Sequence, residues 1–180
     1  MFKTSAFIPY PEEDLYKEIG ERIDQDIPFS NQEMTTLLYD VVGGHNHIQK
    51  LGFHHGEFDP NWVALTTTGY AIVENPLKPK LEIKNLKNMT SVYLSPEAYR
   101  AAKNGRPHGS TFNRTKSDVF SVGLVLLEAG LLREMPEIYN HKKSEDVDYA
   151  ALESNLRELE SRYPDNNLLY TTVRRMLDLD

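Results

Sequence analysis

The stretch Val119–Leu132 is the most apolar part of this chain, and it constrains the fold more than any other segment. A helix that is apolar on every side is buried, because no face of it favours contact with water. A membrane-spanning helix needs about 20 apolar residues, whereas this stretch is shorter and carries Glu128. The sequence therefore predicts a central buried helix around which the rest of the chain packs.

Two amphipathic helices are predicted ahead of this segment. Pro11 suits the opening turn of the first helix. The apolar residues that follow share one predicted face: Leu15, Ile19 and Ile23. The second helix starts with a capping box, Ser-Asn-Gln-Glu at residues 30–33, and should run to about Lys50, with Gly52 as its stop. Its apolar residues recur with the helical period: Met34, Leu37, Leu38, Val41 and Ile48.

A small β-hairpin is predicted next. Short runs of strand-forming residues at Val63–Leu65 and Tyr70–Val73 flank Gly69, which suits a tight turn. Prolines, lysines and asparagines in residues 75–95 predict a long ordered loop. Residues 103–116 are rich in polar residues and glycine, and they predict a second, exposed loop.

Two amphipathic helices are predicted after the central one, at Asp148–Glu160 and Asn167–Leu177. Their apolar stripes are Leu152, Leu156 and Leu159 in the first, and Leu169, Val173, Met176 and Leu177 in the second. With 180 residues the chain is long enough for one domain with a real core. We therefore predict a single domain over residues 1–180, mainly α with a small β part.

The composition narrows the classes of function. A net charge of −7 argues against a nucleic-acid binder held by a broad basic surface. The absence of cysteine excludes disulfides and thiolate metal sites. The N-terminus lacks an apolar signal core and soon meets acidic residues, which argues against secretion and favours a cytoplasmic location.

Three motifs carry a family resemblance. Residues 55–62 read His-Gly-Glu-Phe-Asp-Pro-Asn-Trp, residues 95–97 read Ser-Pro-Glu, and residues 116–123 read Lys-Ser-Asp-Val-Phe-Ser-Val-Gly. In this order they resemble motifs in the C-terminal lobe of eukaryotic protein kinases, and of the divergent serine/threonine kinases of single-celled eukaryotes in particular. The resemblance implies a kinase-like helical lobe. In it residues 7–25 match the hinge and the helix after it, and residues 31–51 match the long helix before the catalytic loop.

The positions that carry kinase chemistry are replaced. In the family the loop reads His-Arg-Asp-Leu-Lys-Pro-x-Asn, in which the aspartate accepts a proton, the lysine stabilises the phosphate and the asparagine binds magnesium. Glu57, Asp59 and Trp62 stand at those three positions. Asn75 stands where the family has the metal-binding aspartate of Asp-Phe-Gly, although a shift of one residue would bring Glu74 there. The resemblance therefore implies a pseudokinase with no catalytic residue, metal or cofactor.

The structural positions of the family are kept. Asp118 matches a buried aspartate whose carboxylate accepts hydrogen bonds from the backbone of the catalytic loop, and His55 matches the loop histidine. The other structural motif residues are Ser95, Pro96, Glu97 and Gly123. The family's arginine partner for this glutamate has no match, so Glu97 is expected to pair with Arg174 or Arg175 or to face solvent.

Three further signals each have two interpretations. A local basic run could be a solvated loop or a docking strip for an acidic partner such as tubulin: Lys78, Lys80, Lys84 and Lys87. Trp62 could anchor an interface or fill the vacated metal pocket. Histidines could suggest a metal site, but their spacing and the lack of cysteine argue against it: His45, His47, His54 and His55.

The family's N-terminal lobe, which grips ATP, has no counterpart in the sequence, and no G-x-G-x-x-G occurs. We therefore expect an uncovered face that a partner protein occupies. Our first hypothesis is a structural or scaffolding subunit of a larger assembly, such as a ciliary or other microtubule-associated one. The second is a regulatory module that binds an active kinase or another enzyme. The third is a residual enzyme with Glu57 as base and Glu74 as metal ligand. None of the three predicts nucleic-acid binding or membrane insertion.

Overall fold

The computed structural model of the chain describes residues 13–56, 58–74, 92–104, 112–139 and 147–178. These parts contain six α-helices and one three-stranded antiparallel sheet. The predicted fold class, mainly α with a small β part, is confirmed.

Helix α4, Arg114–Leu131, forms the centre of the core. All of its residues from Phe120 to its end are buried, so the predicted central helix is confirmed. Its predicted start at Val119 is wrong, because Asn113 caps the helix earlier and accepts a hydrogen bond from a backbone N–H of the first turn at 3.1 Å. The predicted loop at residues 103–116 is accordingly shorter than the sequence suggested.

Helices α1, Leu15–Gln25, and α2, Asn31–Lys50, come first in the chain. The predicted capping box is present: the Ser30 hydroxyl accepts from the backbone of Glu33 at 3.2 Å, and the Glu33 carboxylate accepts from the backbone of Ser30 at 2.7 Å. Gly52, with a φ of 81°, follows the end of α2, as the sequence predicted.

The predicted position of Ile23 on the buried face of α1 is wrong. Leu15 and Ile19 are buried, but Ile23 is 45% exposed. Eight residues advance an α-helix by about 800°, so Ile23 lies roughly 80° around the helix from Leu15. Arg22 covers the junction between α1 and α2 instead, with its guanidinium carbon 3.9 Å from the centre of the Phe29 ring.

The sheet contains the predicted hairpin and one strand that was not predicted. Strands β2, Val63–Leu65, and β3, Ala71–Val73, are antiparallel, and Gly69 turns between them with a φ of 80°. Strand β1, Glu13–Asp14, pairs antiparallel with β2. The sheet lies against α2, where the Asp40 carboxylate accepts a hydrogen bond from the first backbone N–H of β3 at 2.9 Å.

Three further helices complete the described parts. Helix α3, Pro96–Lys103, was not predicted. Helices α5, Tyr149–Arg162, and α6, Asn167–Met176, match the predicted segments to within two residues, and their side-chain caps are Asp148 and Asn166. The predicted loop at residues 75–95 lies outside the described residues except for its last four. No helix in the described ranges is long and apolar enough to cross a membrane.

At Gly123, α4 packs closely against the end of α6, so an added methyl group should be destabilising. A Cβ there would lie 2.9 Å from the Leu177 side chain and 3.0 Å from Met176 Cβ. We expect Gly123→Ala to lower the free energy of unfolding by about 1–2 kcal/mol, because overpacking outweighs the better helix propensity of alanine. Urea unfolding measures this.

Gly20→Ala is the matched control, because no atom lies within 4 Å of a Cβ at Gly20 on α1. It should raise the free energy of unfolding by about 0.5–1 kcal/mol. Equal stabilisation by both substitutions would contradict the packing of α4 on α6.

Candidate functional site

A single buried carboxylate holds the catalytic-loop-like segment to the core. Asp118, in the second turn of α4, accepts hydrogen bonds from the backbone N–H groups of His55 and Gly56, each at 2.8 Å. These are the hydrogen bonds that the kinase resemblance implies. Gly56 has a φ of 79°, a conformation that glycine adopts without strain.

The side chain of His55 is buried among aromatic rings. Its Nε2 lies 3.0 Å from the backbone oxygen of Glu74, and its ring packs edge-on against Phe58 and Trp62 at centroid distances of 5.0 and 5.3 Å. Burial is the largest cause of a pKa lowered to about 4, against the opposing effect of the nearby Asp118 charge. His55 is therefore neutral near pH 7, which suits a packing role better than proton transfer.

A second buried histidine faces the same aspartate. His45 on α2 is 4% exposed, and its Nε2 lies 3.8 Å from a carboxylate oxygen of Asp118. Burial by itself would raise the pKa of Asp118, but His45 and the two backbone donors outweigh burial and the pKa is lowered. The Asp118 carboxylate is therefore charged at neutral pH and is the electrostatic centre of this region.

Asp59 and Trp62, which stand at two of the replaced positions, take part in local structure. Asp59 caps a 3-10 turn at Pro60–Trp62, where its carboxylate accepts from the backbone and the side-chain amide of Asn61 at 2.8 and 2.9 Å. Burial raises the pKa of Asp59 against those hydrogen bonds. Trp62 is half-buried beside His55, and its backbone oxygen accepts from the N–H of Glu74 at 2.9 Å.

Several predicted site residues lie outside the described parts of the chain: Glu57, Asn75, Lys78, Lys80, Lys84 and Lys87. The described parts bring together His55, Asp59 and Trp62, with Asp118 beneath the loop. The side chain of Glu74 is exposed at the end of the hairpin.

No histidine belongs to a group of three possible metal ligands among the described residues. In the described ranges, the ligand atoms of one group of three residues lie within 4.8 Å of one another, and that group is Glu13, Glu18 and Glu21 at the start of α1. Lys17 and Arg22 form ion pairs with these carboxylates at 2.5–3.2 Å, which explains the cluster without a metal.

The Ser-Pro-Glu motif starts α3. Ser95 caps this helix and donates from its hydroxyl to the hydroxyl of Ser117 on α4 at 2.9 Å. Glu97 is half-buried in the first turn, and no ion pair joins it to another described residue. Of the three alternatives for Glu97, neither arginine pairing is present: Arg174 binds Glu153 at 3.0 Å, and no ion pair joins Glu97 to Arg175.

The sequence did not mark Glu128 as a site residue, although it is the one charged residue of the apolar stretch. Glu128 is 2% exposed and accepts a hydrogen bond from the Tyr93 hydroxyl at 2.5 Å. Burial is the largest cause of a pKa raised to about 7, with a further contribution from Glu134 and Asp59. Tyr93 and Glu128 thus fasten the segment before α3 to the central helix.

Comparison with solved structures identifies the class of fold. A MAP kinase of Leishmania major, solved in complex with a bound compound, is similar to this chain, with 13% sequence identity and a TM-score of 0.59. The likeness covers 94% of this chain, which spans 57% of the length of that kinase. No protein-family model matches the chain, and no curated protein matches it. At this identity the likeness shows the fold alone, and that fold is protein-kinase-like.

Replacing the central carboxylate tests its role as an anchor. Asp118→Asn should lower the free energy of unfolding by about 2–4 kcal/mol, because the amide has one acceptor oxygen for two backbone donors and leaves one unpaired. Urea unfolding at pH 7 measures the loss. Asp24→Asn, on the exposed part of α1, is the matched control and should change stability by less than about 0.5 kcal/mol. A loss below about 1 kcal/mol at Asp118 would contradict the anchor.

Glu128 predicts a pH dependence of stability. Its folded pKa of about 7 lies above the ordinary 4.5, so the folded state keeps a proton that the unfolded chain releases. This contribution to stability is complete below pH 4.5 and is lost as pH rises through 7. The buried His55 acts in the opposite direction, since its contribution is lost as pH falls from 6.5 through 4.

The variant Glu128→Gln removes the titrating carboxyl group and so measures its contribution to stability. Relative to the unmodified chain, its free energy of unfolding should rise by roughly 2–3 kcal/mol between pH 4.5 and 7.5. Glu160→Gln, which changes an exposed glutamate of α5, should follow the unmodified chain. Urea unfolding curves at five or six pH values measure the free energy of unfolding of each protein. Parallel curves for Glu128→Gln and the unmodified chain would show that Glu128 is ionised in the fold.

Proposed function

We propose that this chain is a catalytically inactive, pseudokinase-like subunit with a structural or scaffolding role in a larger protein assembly. The observation that carries the proposal is the contrast between Asp118 and the loop it holds. The carboxylate keeps both backbone hydrogen bonds of the kinase-like arrangement. Two positions that would handle phosphate and magnesium are occupied by Asp59, which caps a turn, and Trp62, which packs on His55.

The chemistry of these side chains supports the absence of phosphoryl transfer. Transfer needs positive charge beside the phosphate and oxygen ligands for magnesium. Asp59 adds an acid where a lysine would neutralise charge, and the Trp62 indole has no oxygen to offer a metal. The hydrogen bonds of Asp59 to Asn61 also tie its carboxylate to the turn.

The proposal also implies that a partner protein binds the sheet side of the fold. The residues of β3 and the end of β2 are only half-buried, and they include Leu65, Ile72 and Val73. Because these apolar side chains are left partly uncovered, we propose that another protein covers them. The partner class we favour is a cytoskeletal, microtubule-associated assembly such as that of a cilium.

The native mass of the endogenous protein, tagged and gently extracted, tests the scaffolding role. The chain alone has a mass of 20.7 kDa. We expect it in a much larger complex with partners in fixed ratio. A complex whose partner exchanges would favour the regulatory module, and a free species would count against both.

Activity provides the outcome that would contradict the proposal most sharply. If the purified chain turned over ATP with magnesium and lost this turnover in Glu57→Gln, the residual-enzyme hypothesis would replace ours.

A further inference from the structure

An exposed surface at the end of α2 and the start of α4 has no role in the kinase-like arrangement. Leu51 and Phe53, on either side of Gly52, are 60% and 56% exposed. Lys50 and His54, which flank them in the chain, are also exposed, as are Arg114 and Lys116 at the start of α4. We call this surface the basic patch, and its residues are Lys50, Leu51, Phe53, His54, Arg114 and Lys116.

Two contacts bring the two segments of the basic patch together. The side-chain amide of Gln49 donates to the backbone oxygen of Thr115 at 3.3 Å. The hydroxyl of Thr115 lies 3.5 Å from Nδ1 of His54. The end of α2 and the first turn of α4 therefore form one continuous surface.

The charge of the basic patch is opposite to that of the whole chain. The chain carries a net charge of −7, yet no acidic residue occurs between Asp40 and Glu57 or between Glu97 and Asp118. Arg114 and Lys116 lie in the first turn of α4, which has no acidic residue. A cation is unfavourable at the positive end of a helix dipole, so the charge of Lys116 does not stabilise α4 through the dipole.

We propose that the basic patch binds an acidic segment of a partner protein that also carries apolar side chains. Carboxylates of the partner would lie beside Lys50 and Lys116, and an aromatic or leucine side chain would pack on Leu51 and Phe53. Because the exposed Leu51 and Phe53 side chains need apolar side chains on the partner, a protein segment fits better than a phosphate backbone. The inference rests on the proposed scaffolding function, for which it names the chemistry of one partner.

A synthetic peptide tests the binding directly. The probe is a fluorescent peptide that repeats Glu-Glu-Phe-Glu-Glu-Leu, titrated with the whole chain at about 0.15 M salt and followed by anisotropy. We expect saturable binding that weakens about tenfold in the double variant Lys50→Glu with Lys116→Glu, because repulsion replaces attraction at two positions. The double variant Leu51→Ser with Phe53→Ser should weaken peptide binding severalfold. A control peptide with glutamine in place of every glutamate should not bind.

A matched charge reversal controls for net charge. Arg157→Glu with Arg175→Glu changes two exposed arginines of α5 and α6 and should leave peptide affinity within about twofold. All these residues are exposed, so circular dichroism should show unchanged helix content. The inference is overturned if the unmodified chain does not bind the peptide, if the control weakens binding as much as the patch variants, or if a uridine-rich RNA of equal length binds more tightly.

The native complex separates this inference from the proposed function. If the patch variants bind the peptide poorly but stay in the native assembly, scaffolding stands and the assigned role of the basic patch is overturned. If the chain is free in cells but binds the peptide through the patch, scaffolding fails and the inference stands.

Discussion

The structure depends on one buried carboxylate that keeps its charge. Asp118 is 2% exposed, and it would be costly to bury without partners. Two backbone N–H groups donate hydrogen bonds to it, and the loop from His55 to Trp62 is thereby fixed against α4. The ring of His45 lies nearby, with its Nε2 3.8 Å from the carboxylate. Because α4 contacts the helices around it, the position of this loop is tied to the whole core.

Because the loop conformation depends on Asp118, it can persist when the side chains that carry kinase chemistry are replaced. The anchor needs only the carboxylate of Asp118 and the backbone of two loop residues, so it does not require the catalytic side chains. Asp59 and Trp62 could therefore take up local roles, one as a turn cap and the other as an aromatic neighbour of His55, without loss of the loop. Under our proposal, the fold keeps its surfaces for partners and does not carry out phosphoryl transfer.

The sequence predicted those elements whose signals are local. The capping box at Ser30, the glycine turn of the hairpin and the apolar stretch of α4 each appear in a few adjacent residues. It missed features that depend on distant partners. Strand β1 exists only because β2 lies beside it, Ile23 is exposed because α1 buries a narrow stripe, and Glu128 accepts its hydrogen bond from Tyr93, which is distant in the chain. The role of Asp118 was found through the family resemblance, since nothing in its neighbours along the chain reveals the loop it binds.

Amide hydrogen exchange at His55 and Gly56, measured with and without Mg-ATP, tests the central claim most directly. If Asp118 holds the loop and the loop has no catalytic role, both amides should exchange only through global unfolding, and Mg-ATP should not change their rates. Exchange at the rate of an open loop would contradict the anchor. Added protection in Mg-ATP would contradict the claim that the site has lost its chemistry.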